Sequence, residues 1–552
     1  MTDLRRVGAQ VLCLVGPVLS APALALAPGQ SRPHAALAAP PDTIEVIELT
    51  ATRIHADLLA ARYTITELTQ AFLDRIARYE DHYNAFISMN PEALAVAAAL
   101  DEELRTAGPR GPLHGVPVVI KDNLDYAGLV TTAGFEGFSA AAGGINMIPG
   151  DDAASVERLK GAGAVILGKT NMPDFATHGT RTRSSVAGET LNPYAPDRVP
   201  GGSSGGTATA VNASFAVLGL GTETGGSIQN PAAAQALVGV KPTFGLVPLE
   251  GVVPVDATYR DVVGPLARTV RDAALVLDVI AGPTTEDLAT YAAAERMPKQ
   301  GYAAGLTTTA LAGKRFGLVG PGWRESFLPL APETQALYSE AIAALEAEGA
   351  EVLEDPFAGR GWVELYGERP GVPSGGSHDL LLYLRGLGPE AAFNSIEEWE
   401  ELSGRKFRGG RGDRSPAAPT ATEEGDAFQA WRLEMRALFR AVLEDNRLDG
   451  LFFPQAGEPI RPLVEDPERP DYRPNNHAEL PSNIINDIGL PTITVPFSYY
   501  ADGTPFVLAF IGDLWTDADL LAWAYDLEQA TMARVAPELT QEPGSGATNG
   551  NR

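Results

Sequence analysis

Cysteine is nearly missing from this chain: Cys13 is the only one among 552 residues. That excludes an intramolecular disulfide and any cluster of thiolate metal ligands. Histidine is sparse as well, limited to His34, His55, His82, His114, His178, His378 and His477. None of them opens a His-Glu-x-x-His helix, and no ligand cluster has metal-site spacing, so no metal and no cofactor are predicted. Positive charge is in deficit. Lys and Arg total 42 against 70 Asp and Glu, a formal net charge of −28. Such a surface repels phosphate backbones and argues against a nucleic-acid partner. Beyond residue 26 no apolar run is long enough to cross a bilayer.

The N-terminus is the exception. Arg5 and Arg6 precede an apolar run from Val7 to Leu26, and Ala23-Leu24-Ala25 offers a small-x-small cleavage site. This pattern predicts an export signal over residues 1–27, a Pro/Ala-rich linker over 28–43, and a periplasmic or secreted protein. The arginine pair hints at twin-arginine export. Gly16, Pro17 and Pro22 interrupt the run, which weighs against the alternative of a membrane anchor. Removal of the signal would leave no cysteine at all.

Apolar residues make up 45% of the chain and charged residues 20%, as in ordinary globular proteins. Thr64-Ile65-Thr66-Glu67 is a capping box, followed by Leu68, Phe72, Ile76 and Tyr79 at helical spacing. Helices are predicted over 92–105, 152–160 and 332–348, and after Gly206. Short β-branched runs predict strands over Val116 to Ile120, Ala164 to Leu167, Phe215 to Leu220 and Arg315 to Val319. Strands alternating with helices imply an α/β sheet covered by helices. Residues 355–425 break that rhythm with many Gly, Arg, Pro and Glu and are expected to form an insertion or cap. Residues 490–512 return to β-rich sequence, and 541–552 form a Gly/Asn-rich tail expected to be disordered.

The densest chemical signal is Gly201-Gly202-Ser203-Ser204-Gly205-Gly206, followed by Gly225-Gly226-Ser227. Glycines let the backbone turn tightly and approach a ligand closely. The N–H groups of Thr224, Gly225, Gly226 and Ser227 are placed to converge on a substrate oxygen, the arrangement of an oxyanion hole. Taken alone, a serine after Gly-Gly is more often a turn-capping serine than a nucleophile. The 201–206 loop also suggests a phosphate cradle, but no Gly-Lys-Ser/Thr follows it. Lys121 ends the strand Val116 to Ile120. Its ammonium either reaches water or, desolvated, loses its proton and becomes a base; Asp122 beside it would favour the charged form. For His114 and His178 a structural role is the better reading.

Together these segments resemble the amidase signature family. Gly201 to Gly206 through Gly225-Gly226-Ser227-Ile228 match its glycine- and serine-rich signature, and Leu113-His114-Gly115-Val116-Pro117-Val118-Val119-Ile120-Lys121-Asp122 matches the segment with the family lysine. Gly168-Lys169-Thr170-Asn171-Met172, Gly239-Val240-Lys241-Pro242-Thr243 and Asn486-Asp487-Ile488-Gly489-Leu490-Pro491 agree. The likeness is dense over 44–284 and patchy over 440–535. It implies a large central twisted mixed sheet flanked by helices within a catalytic domain spanning 44–540. It also implies a Ser–cis-Ser–Lys triad: Ser227 as nucleophile, Ser203 on a cis peptide bond as relay, and Lys121 as base. The spacing between the serines is the family's, which selects Ser203 over Ser204. One departure is Gln229, where many members carry arginine.

The expected function is therefore an exported serine amidase acting on small-molecule or peptide amides, with esters or carbamates open to the same triad. A tRNA-dependent amidotransferase subunit is the alternative, opposed by the export signal and the acidic charge. A non-catalytic binding protein retaining the fold is the third reading, opposed by the presence of all three triad residues.

Overall fold

The capping box at Thr64 forms as its letters predict. Glu67 N–H donates to Thr64 Oγ1 (3.0 Å), and Thr64 N–H donates to Glu67 Oε2 (2.8 Å). The helix Ile65–Tyr83 that follows buries Leu68, Phe72 and Ile76. The computed structural model describes residues 44–325, 328–371, 375–408, 417–464 and 479–540. The expected signal, linker and C-terminal tail lie outside the described residues.

Thirteen strands occur among the described residues. In chain order the first eight are β1 (Phe86–Met89), β2 (Pro117–Lys121), β3 (Val165–Thr170), β4 (Arg183–Ser184), β5 (Gly188–Glu189), β6 (Leu218–Glu223), β7 (Val238–Lys241) and β8 (Val262–Ala267). Then come β9 (Arg315–Leu318), β10 (Glu351–Leu353), β11 (Gly450–Pro454), β12 (Thr492–Tyr499) and β13 (Pro505–Ile511). β4 and β5 form a separate ribbon. The other eleven make one sheet in the order β1-β3-β2-β6-β8-β7-β12-β13-β11-β9-β10. It is mixed: β3, β2 and β6 are parallel, as are β11, β9 and β10, and antiparallel pairs join the two groups. β2, β3, β6 and β8 are buried along their whole length, as strands covered on both faces must be.

The helix Gly205–Asn212 is buried from end to end. Only small residues let it lie so close to the sheet, and a Cβ on Gly206 would overlap the carbonyl oxygen of Asn171. One expected boundary moves. The strand predicted from Phe215 begins at Leu218, because Ser214 turns the chain at φ 55° and Phe215 packs against Tyr83 and Phe86.

The break in rhythm over 355–425 is helical among its described residues: Trp362–Gly367, Gly375–Gly386 and Ile396–Ser403. Trp399, Phe393 and Phe407 pack with Phe135, Phe138 and Phe175 in a second apolar core. That cluster ties the insertion to the loop after β2. A 24-residue helix, Glu423–Asn446, follows and was not foreseen, although Phe428, Trp431, Met435, Phe439 and Val442 line one buried face at helical spacing.

Gly163 to Thr170 has the letters of a phosphate-binding loop, Gly-x-x-x-x-Gly-Lys-Thr. It forms strand β3 instead, and its Lys169 is fully buried. Lys169 Nζ lies 3.3 Å from Asp122 Oδ1 and donates to Thr131 Oγ1 (2.6 Å) and the Val130 carbonyl (3.2 Å). Asp122 also accepts from Thr132 N–H (3.0 Å) and from the Thr132 hydroxyl. Successive residues at a strand end face opposite sides, so Asp122 serves Lys169 and not Lys121. Lys169→Met would leave a carboxylate buried without its cation. The expected cost is about 3–5 kcal/mol of stability, read as a lower midpoint in urea unfolding.

Candidate active site

β2 and β6 are parallel neighbours, in register through Val118↔Leu218 and Ile120↔Leu220. Their carboxyl ends therefore open at the same edge of the sheet, where α/β folds place ligands. Lys121 ends β2, and Thr222-Glu223 ends β6. Lys121 Nζ, with no solvent exposure, lies 2.7 Å from Ser203 Oγ, 2.9 Å from Thr222 Oγ1 and 3.2 Å from the Thr222 carbonyl oxygen. Burial drives its pKa down to about 7, against the opposing pull of Asp261 and Glu223. A neutral amine has two N–H donors and one lone pair. Thr222 accepts both donors, which turns the lone pair toward the Ser203 hydroxyl. Asn123 Nδ2 donates to Thr222 Oγ1 (3.1 Å) and holds that threonine in place.

Ser203 is fully buried, and the Gly202–Ser203 peptide bond is cis. Ser227 is 7% exposed. Ser204 joins the two glycine loops: its N–H donates to the Ser227 carbonyl (3.2 Å), and its hydroxyl donates to the Thr222 carbonyl (3.2 Å). The four residues expected to present N–H groups, Thr224, Gly225, Gly226 and Ser227, form the turn between β6 and the helix Gln229–Ala234.

Two carboxylates brace this turn. Glu223 Oε2 accepts from the N–H groups of Ile228 (2.8 Å) and Gln229 (3.1 Å). Its Oε1 accepts from Gln229 Nε2 (2.5 Å) and Asn486 Nδ2 (2.9 Å). On the other side, Asp261 Oδ1 accepts from the Thr224 hydroxyl (2.5 Å), and Oδ2 accepts from the N–H groups of Val255 and Asp256 (2.8 Å each). The N–H groups of Gly225, Gly226 and Ser227 have no acceptor among the described residues. Gly226 sits at φ 103°, a conformation that side-chain-bearing residues rarely adopt.

Gly201 to Gly205 also spells Gly-x-Ser-x-Gly, the pattern of a hydrolase elbow. No strand leads directly into it, however, and the basic side chain bonded to Ser203 is a lysine rather than a histidine. His114 is buried and structural. Its Nε2 lies 3.1 Å from the Leu100 carbonyl, and its Nδ1 accepts from Arg110 N–H (3.4 Å). His178 is exposed, and its Nδ1 accepts from the N–H groups of Thr180 (3.3 Å) and Arg181 (3.1 Å). Among the described residues no group of three or more His, Cys, Asp or Glu is placed to hold a metal ion.

Sequence reasoning missed Glu223, Asp261, Asn123 and the contacts of Thr222. Glu223 carried a usable signal: an acidic residue just before a Gly-Gly-Ser turn that starts a helix, where exposed N–H groups favour a carboxylate. Asp261 carried none, since it reaches Thr224 across 37 residues.

The Amidase family model matches residues 67–521. A glutamyl-tRNA(Gln) amidotransferase subunit from Thermosynechococcus vestitus is 34% identical over 489 residues, 87% of this chain and 97% of that protein. The subunit of the same name from Roseiflexus sp. is 41% identical over 308 residues, 56% of this chain and 60% of that protein. Peptide amidase from Stenotrophomonas maltophilia superposes with a TM-score of 0.74 at 33% identity, covering 90% of this chain and 99% of that one. An amidase family protein from Bacillus anthracis reaches a TM-score of 0.73 at 26% identity, covering 90% and 93%. With a family match across most of its length and whole-length relatives above 30% identity, the chain belongs to the amidase family.

Proposed function

We propose that the chain hydrolyses linear carboxylic amides through an acyl-enzyme on Ser227, with Ser203 as proton relay and Lys121 as base. Family membership makes it an enzyme acting on amide carbon–nitrogen bonds. The finer reading rests on one observation, a desolvated lysine 2.7 Å from the Ser203 hydroxyl.

In this reading Ser227 Oγ attacks the amide carbonyl carbon. Its proton passes to Ser203 Oγ as the Ser203 proton passes to Lys121 Nζ. The N–H groups of Thr224, Gly225, Gly226 and Ser227 are the proposed donors to the resulting oxyanion; such donors are worth about 3–4 kcal/mol each when preorganised. The carbon–nitrogen bond then breaks, and the relay returns a proton to the departing amine. Water repeats the sequence on the Ser227 ester and releases the acid. Esters and carbamates follow the same route.

Substrate preference turns on Gln229. It is fully buried and bonded to Glu223, so this position supplies no cation for a free carboxylate. Neutral amides, including amidated peptides, fit better than amides with a carboxylate beside the reacting carbonyl. The likeness to peptide amidase supports this preference.

A second reading is an amidotransferase subunit, favoured by 34% identity across 97% of such a protein. The same serine chemistry would then release ammonia from a donor amide for a partner chain. The net charge of −28 and the N-terminal pattern over 1–27 support the exported hydrolase instead. Activity of the purified chain alone on para-nitroanilides and peptide amides, together with recovery of a shortened form outside the cytoplasm, is the expected result. An unprocessed cytoplasmic chain that is inert until an amidotransferase partner is added would establish the second reading.

A fluorophosphonate probe is expected to label wild-type protein and not Ser227→Ala. Lys121→Met is expected to lower kcat at least about a hundredfold, the usual scale of general-base assistance. Intact labelling of folded Ser227→Ala would refute the assignment of the nucleophile.

The pH profile gives an independent check. Only neutral Lys121 accepts a proton, and its pKa is about 7, with Asp261 and Glu223 the carboxylates pulling it upward. The expected kcat/KM rises about tenfold per unit below pH 7 and is level above it. A rise continuing toward 10.5, the ordinary lysine value, would show that the amine is not desolvated.

A further inference from the structure

The outer flank of the nucleophile turn borders a cleft of about 70 Å³. Gly201 and Asn230, just outside the two serines in sequence, form part of its wall. Gln455 and Glu479 face them from the far half of the sheet. Wall and turn are in contact: a Cβ on Gly226 would stand 2.5 Å from Glu479 Oε2 and 2.7 Å from Asn230 Nδ2.

Gln455 directly follows β11, and its backbone is fully committed. Its N–H donates to the Val507 carbonyl (2.8 Å), and its carbonyl accepts from Leu480 N–H (3.0 Å). Its side chain is not. Gln455 is 1% exposed, yet among the described residues neither Nε2 nor Oε1 has a hydrogen-bond partner. Asn230 repeats the pattern. Its Nδ2 donates to the Gly179 carbonyl (3.1 Å) and Glu479 Oε1 (2.5 Å), while Oδ1 has no partner. Buried amides left unpaired are rare, because the protein then forfeits bonds that water would supply.

The cleft offers little to a charged ligand. Arg461 and Glu458 lie on its rim but pair with each other at 2.8 Å. Val199, Pro459 and Ile460 make the rest of the wall apolar. Glu479 is held by Asn230, and burial pushes its carboxyl up to about 8. Beside it stand the unpartnered amide donor of Gln455 and the unpartnered amide oxygens of Gln455 and Asn230, the complement of a group carrying both a carbonyl and an N–H.

We propose that Gln455 and Asn230 form a subsite for a second, non-reacting peptide group of the substrate. Gln455 Nε2 donates to that group's carbonyl, and Asn230 Oδ1 accepts its N–H, since the two groups of a trans peptide point in opposite directions. This inference rests on the amidase reading of Ser227 and narrows its substrates to amides with an internal peptide bond. Gln455 is then a specificity-determining residue that touches the substrate away from the reacting atoms.

Binding tests it without turnover. In the Ser227→Ala background, calorimetry compares N-acetyl-alanyl-alaninamide, its depsipeptide analogue with the internal N–H replaced by oxygen, and hexanamide. The peptide amide is expected to bind about tenfold more tightly than the depsipeptide, a comparison that needs no change at Gln455. Adding Gln455→Leu is expected to reduce the preference for the peptide amide over hexanamide about tenfold. Undetectable binding of the peptide amide, equal affinity for peptide and depsipeptide, or an unchanged preference in folded Gln455→Leu each overturns the subsite. Failure of wild-type protein to cleave any of the three ligands would count against the amidase reading, and the binding data would still decide the subsite.

Discussion

An amine buried without a contacting carboxylate is the constraint on which this site depends. Lys121 loses its proton near neutrality because water is excluded from it, while Asp261 and Glu223 pull the other way from a distance. A carboxylate in direct contact would favour the charged form and raise the pKa again. The fold meets that condition by surrounding Nζ with neutral oxygens, two from Thr222 and one from Ser203. Asp122, the nearest carboxylate in sequence, is turned away and occupied by Lys169. The buried Asp122–Lys169 pair thus has a consequence beyond its own stability: it keeps a negative charge off the neighbouring lysine.

The same economy of charge shapes the nucleophile turn. Glu223 and Asp261 spend their acceptor capacity on the N–H and hydroxyl groups around it. They fix the turn from both ends and leave the amides of Gly225, Gly226 and Ser227 unpaired. In the proposed role as oxyanion donors, such preorganised groups would stabilise developing charge without reorganising. Parallel pairing of β2 with β6 places the amine and the turn at one sheet edge.

Relatives of this chain include both a peptide amidase and amidotransferase subunits, at nearly equal identity. The elements around Lys121, Ser203 and Ser227 suit either role, because both need an amide carbonyl attacked and nitrogen released. The groups assigned to substrate choice lie one layer out. Gln229 is bound to Glu223, and the cleft beside Asn230 carries the idle amide of Gln455. In the reading proposed above, those positions govern which amide enters, not how it is broken.

Local features were legible from residue order alone. The Thr64 capping box, the strand ending at Lys121, the buried small-residue helix and the two serine loops depend on neighbours a few positions apart, where steric preference and hydrogen-bond reach suffice. One spelling is ambiguous by itself: Gly163 to Thr170 also reads as a phosphate loop, yet it forms the strand expected over Ala164 to Leu167, extended to Thr170, and its lysine is buried against the carboxylate of Asp122 just past β2. Residue order determined which groups were available for acyl transfer. The tertiary structure alone decided that Lys121 is dry, that Asp122 belongs to Lys169, that Asp261 braces Thr224, and that Gln455 and Asn230 line one cleft. Each of those facts joins residues far apart in the chain, and dehydration and charge pairing act through space, where sequence distance carries no information.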